Sequence, residues 1–182
     1  MSDPRIEFVF GAVTDQLRSE LKAFWKQHGQ AYQEELRSFR VASGSHAVQH
    51  FGPLQRPLLR QPAAVSRDQS GVINGVIFVV LCELDDSLGL GSHAYFQRMY
   101  IVPESRNFRL TNRLFRVYLQ GLDREAERRD HRAKVLLAEN INPRLQKAYV
   151  RRYFASLGFQ MLGGNQLGGE IWVRKLKTRF LF

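Results

Sequence analysis

Residues 93–139 switch hydrophobic period twice, and this constrains the fold more than any other feature of the chain. "HAYFQRMYIVP" reads as a long strand. A helix follows over roughly 111–129, with Leu114, Val117, Tyr118, Leu122 and Ala126 on one apolar stripe, and "AKVLLAE" returns as a strand. Strand, helix and strand in succession give the chain βαβ character and an α/β architecture.

The flanking segments extend that pattern. "RIEFVFG", residues 5–11, reads as the first strand. Thr14 can cap a helix bearing Leu17, Leu21, Phe24 and Trp25. After Gly29 a second helical stretch, "AYQEELRSFR", keeps Tyr32, Leu36 and Phe39 on one face. Residues 41–62 carry three prolines and little periodicity, which marks a functional loop or a mobile segment. "RDQSG" is a hairpin turn between two strands, and Gly75 in the second strand marks a bulge. "DDSLGLGS" turns the chain into the long strand. Pro143 opens a further helix with Leu145, Ala148, Tyr149, Arg152 and Tyr153, and Gly158 ends it. A hairpin, "FQMLGGNQLGGEIWVRKL", closes the chain. The predicted order is β-α-α-β-β-β-α-β-α-β-β, a mixed sheet in a single domain over residues 1–182.

Composition excludes several classes. No apolar run reaches the length of a membrane span; the longest, "GVIFVVLC", is strand-sized. "MSDPRIEF" has neither the basic start nor the apolar stretch of a signal peptide. Cys82 is the one cysteine and sits in an apolar run, as a buried small hydrophobe would in a reducing compartment. A cytoplasmic protein is expected. The net charge of +10 attracts anionic partners, among them phosphorylated cofactors, nucleic acid and acidic proteins. The basic residues form no tail, zinc-ligand spacing or RNA-binding signature.

Three stretches resemble the GNAT superfamily of N-acyltransferases. "RDQSGVINGVI" is similar to the hairpin that opens the central sheet of those enzymes. "VPESRNFRLTNRL" is similar to their donor loop, V-x-P-x-x-R-x-x-G-x-G/A-x-x-L, and "YFASLGF" to the end of their fourth helix, Y-x-x-x-G-F. The resemblance implies a GNAT-like mixed sheet, split in a V that receives the pantetheine arm of acetyl-CoA or another acyl-CoA. It also implies an amine-bearing acceptor. Tyr100, Ile101, Val102, Arg106, Asn107, Phe108, Arg109, Leu110 and Thr111 fall on the strand end and loop that hold the donor. Backbone amides at a helix N-terminus, with Arg106 and Arg109 as charged donors, suit a pyrophosphate. The sequence departs from the pattern at two places, since Arg109 and Thr111 stand where glycine and a small residue belong. Arg109 either fills the pyrophosphate's space or swings out and adds a charge, and the Thr111 hydroxyl can itself donate to a phosphate. Members resembling N-acyl amino acid synthases also have glycine-poor loops and take acyl groups from acyl carrier protein, an acidic partner for a basic chain.

Acyl transfer to an amine needs a base for the amine and an acid for the departing thiolate. The family's acid is a tyrosine four residues before the glycine of "G-F", where this chain has Phe154. Tyr153 and Tyr149 are the phenols available on the same helix. For the base, His93 shares a strand face with Tyr95 and Gln97, while Glu83 and Glu139 end neighbouring strands. Asn142 either hydrogen-bonds the pantetheine amides or caps a helix. His46 and His50 lack a metal partner set, so no metal is expected. A second reading is a catalytically silent GNAT-like domain that binds a protein or nucleic acid through its basic surface.

Overall fold

A computed structural model describes residues 4–42, 56–164 and 169–177. They form strands β1 (Arg5–Phe8), β2 (Arg56–Arg67), β3 (Ile73–Glu83), β4 (His93–Ile101), β5 (Ala133–Asn140), β6 (Gln160–Gly164) and β7 (Glu170–Lys175). Three α-helices accompany them: α1 (Asp15–Ala42), α2 (Phe108–Arg124) and α3 (Ala148–Ser156). The strands make one mixed sheet in the order β1-β2-β3-β4-β5-β7-β6. Every neighbouring pair is antiparallel except β4 and β5.

The continuous apolar run of β3 follows from burial on both faces. Val76 and Phe78 pack with Leu17, Leu21, Phe24 and Tyr32 of α1. Ile77, Val79 and Leu81 pack on the other face with Leu110, Leu114 and Tyr118 of α2. Helix α1 begins where expected, with Thr14 Oγ1 accepting from the Leu17 amide at 3.2 Å. It does not break at Gly29. One rod of 28 residues replaces the two predicted helices. A glycine in a helix interior costs about 1 kcal/mol relative to alanine. Packing of Phe24 before it and Tyr32 after it onto the same sheet face outweighs that.

Three further boundaries differ from expectation. Residues 56–62, expected to be irregular, are the start of β2. The prolines hid it, since Pro57 and Pro62 sit at register shifts where the strand bulges. Residues 43–55, with His46 and His50, lie outside the described residues. Helix α2 starts at Phe108 and stops at Arg124, because Asn107 supplies the cap and a short 3-10 turn takes over at Ala126. Pro143 begins a 3-10 turn, Pro143–Leu145, and α3 starts only at Ala148. Helix α3 ends on Gly158 at φ 83°, with Phe159 N donating to Phe154 O and Gly158 N to Ala155 O, a Schellman closure.

The expected bulge at Gly75 is present: Ser66 pairs with Gly75 and Arg67 with Ile73, leaving Asn74 over. A side chain has no room at Gly75. A Cβ there would sit 2.5 Å from Ser66 Oγ and 3.2 Å from Ile101 Cγ1. Gly75→Ala is therefore expected to destabilise the fold by about 1–3 kcal/mol, read as a lower urea midpoint at unchanged slope. A midpoint equal to the parent's would show that Ser66 moves aside at no cost.

Candidate functional site

The parallel pairing of β4 with β5 runs only from His93↔Ala133 to Gln97↔Ala138. Beyond that point the strands part. β4 stays on β3 as far as Ile101↔Gly75, and β5 stays on β7 as far as Asn140↔Glu170. Their facing edges, residues 98–101 and 139–140, diverge into a V. Peptide groups on such edges need hydrogen-bond partners, and an extended ligand with amides of its own can supply them as an added strand does. At the apex, Arg98 Nη2 donates across the gap to Glu139 Oε2. The Glu139 side chain is 8% accessible.

On the α1 face of the apex the aromatic and charged side chains converge. Arg60 lies 4.2 Å over the Phe78 ring and Arg98 lies 5.0 Å over Phe96. Tyr32 of α1 packs between Phe78 and Tyr100, at 6.3 and 5.2 Å between ring centroids. Burial pushes its phenol pKa up, and the Arg98 and Arg60 cations nearby pull the other way.

The strand-to-helix loop after β4 is tied down on both sides. Val102 N donates to Asn74 O at 2.9 Å. Buried Ser66 Oγ donates to Asn74 Oδ1 at 2.7 Å, and Asn74 Nδ2 donates to Ser105 Oγ at 3.2 Å. The Gly75 bulge thus presents Asn74 to the loop. Arg106 reaches away from the helix N-terminus. Its Nε donates to Ile101 O at 2.7 Å, and its two Nη atoms grip Glu35 of α1 at 2.7 and 2.6 Å. Asn107 Oδ1 accepts from Leu110 N at 2.8 Å, and the Thr111 hydroxyl donates to Asn107 O at 2.9 Å. Leu110 is core, whereas Arg109 and Phe108 are exposed. First-turn amides point out along the α2 axis, at its positive end. Tyr100, Ile101 and Val102 are buried at the strand end leading into this loop.

The structure brings some of the predicted acid and base candidates to this region and separates others. Glu139 is at the apex. Tyr153 lies beside the α2 N-terminus: its hydroxyl donates to Asn112 Oδ1 at 2.8 Å, and its ring packs 6.1 Å from Phe108. Burial raises its pKa. Tyr149 is exposed. Phe154, one residue on, points into the core against Trp172 and Phe159, both at 5.3 Å. His93 pairs with Glu83 at the start of β4, five residues and about 17 Å of strand from Arg98 at the apex. Its Nδ1 lies 2.9 Å from Ser92 Oγ. Asn142 caps the turn before α3, accepting from Arg144 N at 3.0 Å. Cys82 is buried.

Arg60, Arg98, Tyr32, Glu35 and Asn74 were missed in the sequence. Arg98 was within reach, since alternation along "HAYFQRMY" puts it on the face opposite Tyr95 and Gln97, though nothing marked that face as chemical. Tyr32 and Glu35 read as ordinary helix residues, and Arg60 lay in the segment taken as irregular.

No protein-family profile and no curated protein matches the chain. Solved structures do. A phosphinothricin acetyltransferase of the GNAT superfamily from Sinorhizobium meliloti, in complex with acetyl-CoA, aligns with a TM-score of 0.50 at 12% identity, over 95% of this chain and 88% of that one. A GCN5-related N-acetyltransferase from Kribbella flavida aligns with a TM-score of 0.50 at 13% identity, over 95% and 98%. The fold is that of the GNAT acyltransferases, as the three sequence stretches implied. Among the described residues no helix is long and apolar enough to cross a membrane, and no group of His, Cys, Asp and Glu has the makings of a metal site.

Asn107 closes the loop onto the helix. Asn107→Ala is expected to cost about 1 kcal/mol, and Asn107→Asp to restore most of it, by urea denaturation. Equal losses in both variants would mean that the amide nitrogen, which donates to Ser105 O at 3.0 Å, matters more than the cap.

Proposed function

We propose that this chain is an N-acyltransferase that moves an acyl group from a pantetheine thioester to an amine by direct attack. The observation that carries the reading is the β4–β5 V, which closes on Glu139 and opens toward the N-terminus of α2. The pantetheine amides pair with the free edges of Tyr100, Ile101 and Glu139, so the thioester carbonyl stops near the apex. Asn142, at the head of the turn after β5, lies on the same side. The phosphates face the α2 N-terminus with Phe108, Arg109 and the loop amides around them. Arg106 acts as a positioning residue, holding the loop to α1.

The amine nitrogen attacks the thioester carbon, the carbonyl oxygen takes the negative charge, and the C–S bond breaks as the C–N bond becomes an amide. Glu139 receives the proton the amine loses. A phenol returns one to the departing sulfur, with Tyr153 the better placed of the two on α3 because its hydroxyl is half-buried beside α2. Amide and thiol are the products. His93 belongs to the opposite end of β4 and keeps a structural part in this scheme.

A donor carried by acyl carrier protein enters the same V with pantetheine alone. Two features favour it: the glycine-free loop, and Phe108 and Tyr149, 72% and 59% exposed on the rim beside a basic surface. Calorimetric titration with acetyl-CoA separates the donors. One-site micromolar binding makes the donor CoA-linked. Absence of binding, with thiol release from acylated carrier protein, makes it carrier-linked. Absence of both leaves the silent binding domain, whose nucleic-acid form would show a steep salt dependence.

Two variants test the roles with whichever donor binds. Glu139→Gln, which keeps a hydrogen-bonding partner for Arg98, is expected to lower the thiol-release rate by about 100-fold. A near-normal rate would remove Glu139 as the base. Arg106→Ala is expected to weaken donor binding about threefold to tenfold, and Arg124→Ala, at the far end of α2, to leave it alone. Equal effects would detach Arg106 from the donor loop's function.

A further inference from the structure

The acyl-transfer reading leaves the acceptor open, and the side chains on the α1 face of the apex narrow it. Two guanidinium groups, Arg60 and Arg98, and one carboxylate, Glu139, all lie within electrostatic reach of one phenol, Tyr32, and Arg98 bridges to Glu139. Arg98 is engaged by Glu139. Arg60 sits over Phe78, and no ion pair to it is found among the described residues. The cluster therefore carries one cation in excess beside a carboxylate at the reacting end of the V.

That surplus cation is built in rather than incidental. Phe78 is 4% exposed and packs against α1, so the guanidinium 4.2 Å over its ring rests on a fixed support. Arg98 stacks on Phe96 in the same manner. Phe78 is the direct cross-strand partner of Arg98, and Arg60 stands opposite Val80, two residues further along β3, so the two cations occupy adjacent rows of one sheet face. A guanidinium on an aromatic face is less hydrated than an ammonium and offers a planar fork that fits the two oxygens of a carboxylate.

We propose that the acceptor is an amine carrying its own carboxylate, a free amino acid or a molecule of that class. Arg60 grips the carboxylate with help from Arg98 and the Tyr32 hydroxyl. The amino group falls toward Glu139, which takes its proton during attack. The charge order of the cluster, cations beside an anion, is the complement of a zwitterion. This inference rests on the acyl-transfer reading and adds the acceptor class to it.

The test measures kcat/KM for thiol release with each standard L-amino acid and with its α-carboxamide, using the donor that the titration selects. The free acid is expected to exceed its carboxamide by tenfold or more for the amino acids that are turned over. In Arg60→Gln that ratio is expected to fall to about threefold or less while donor affinity, measured by calorimetry, stays at the wild-type value. Equal turnover of acid and amide by the wild type would overturn the proposal, and so would a preference that survives in Arg60→Gln. Either result leaves acyl transfer standing, because amines are still acylated. No thiol release with any amine and any donor, together with no donor binding, would remove the acyl-transfer reading and this inference with it.

Discussion

The contact between Arg98 and Glu139 sits where the sheet stops being a sheet. On one side of it β4 and β5 share hydrogen bonds; on the other each keeps only its outer neighbour. Exposed pairs such as Arg18 with Asp15 contribute little, about 0–1 kcal/mol at most, since water screens them. The apex pair differs because Glu139 is nearly buried, so removing either partner leaves the other desolvated without its counter-charge. The pair holds the two strands at a set separation at the apex, and the opening beyond it depends on that. A V without its apex contact would have no defined depth.

The loop between β4 and α2 shows how a strand-to-helix turn can hold its shape without glycine. Glycines in such loops allow backbone to approach a phosphate closely. Here the loop is instead specified by hydrogen bonds: Asn74 from the β3 bulge, Ser105 within the turn, Asn107 as the helix cap, and Arg106 bracing the whole against α1. These supports come from the loop itself and from elements packed against it, so its shape is specified by the protein's own hydrogen bonds. Preorganisation of this kind lowers the entropic cost of binding.

Much of the architecture was legible because it is periodic. The β3 run, the α2 stripe, the Thr14 cap and the Gly158 stop are local signals, and each appears where the residues imply. Boundaries governed by tertiary contacts were not. Gly29 reads as a break and Pro57 and Pro62 as breakers, yet packing on the sheet carries the helix through the first, and bulges absorb the other two. The same asymmetry governs the site. The β4–α2 loop could be located from its strand-turn-helix pattern, since its residues are contiguous. The apex cluster draws on α1, β2, β3, β4 and β5, and nothing in the spacing of Tyr32, Arg60, Arg98 and Glu139 announces that they meet.

The continuity of α1 matters to both halves of the site. Tyr32 and Glu35 are three residues apart and so share a helix face. The first packs over Phe78 beside Arg98 and Arg60, and the second clamps Arg106 in the donor loop. A helix broken at Gly29 would leave the segment bearing these two residues free to settle independently of the segment fixed by Leu17, Leu21 and Phe24. In one rod, the packing of the N-terminal half sets the rise and rotation of the C-terminal half, at 1.5 Å and 100° per residue. The core contacts of Leu17, Leu21 and Phe24 thereby decide where Tyr32 meets the apex and where Glu35 meets the loop. The cost of Gly29 inside the helix is small beside what an uncoupled second helix would lose: a shared frame for the two ends of the V.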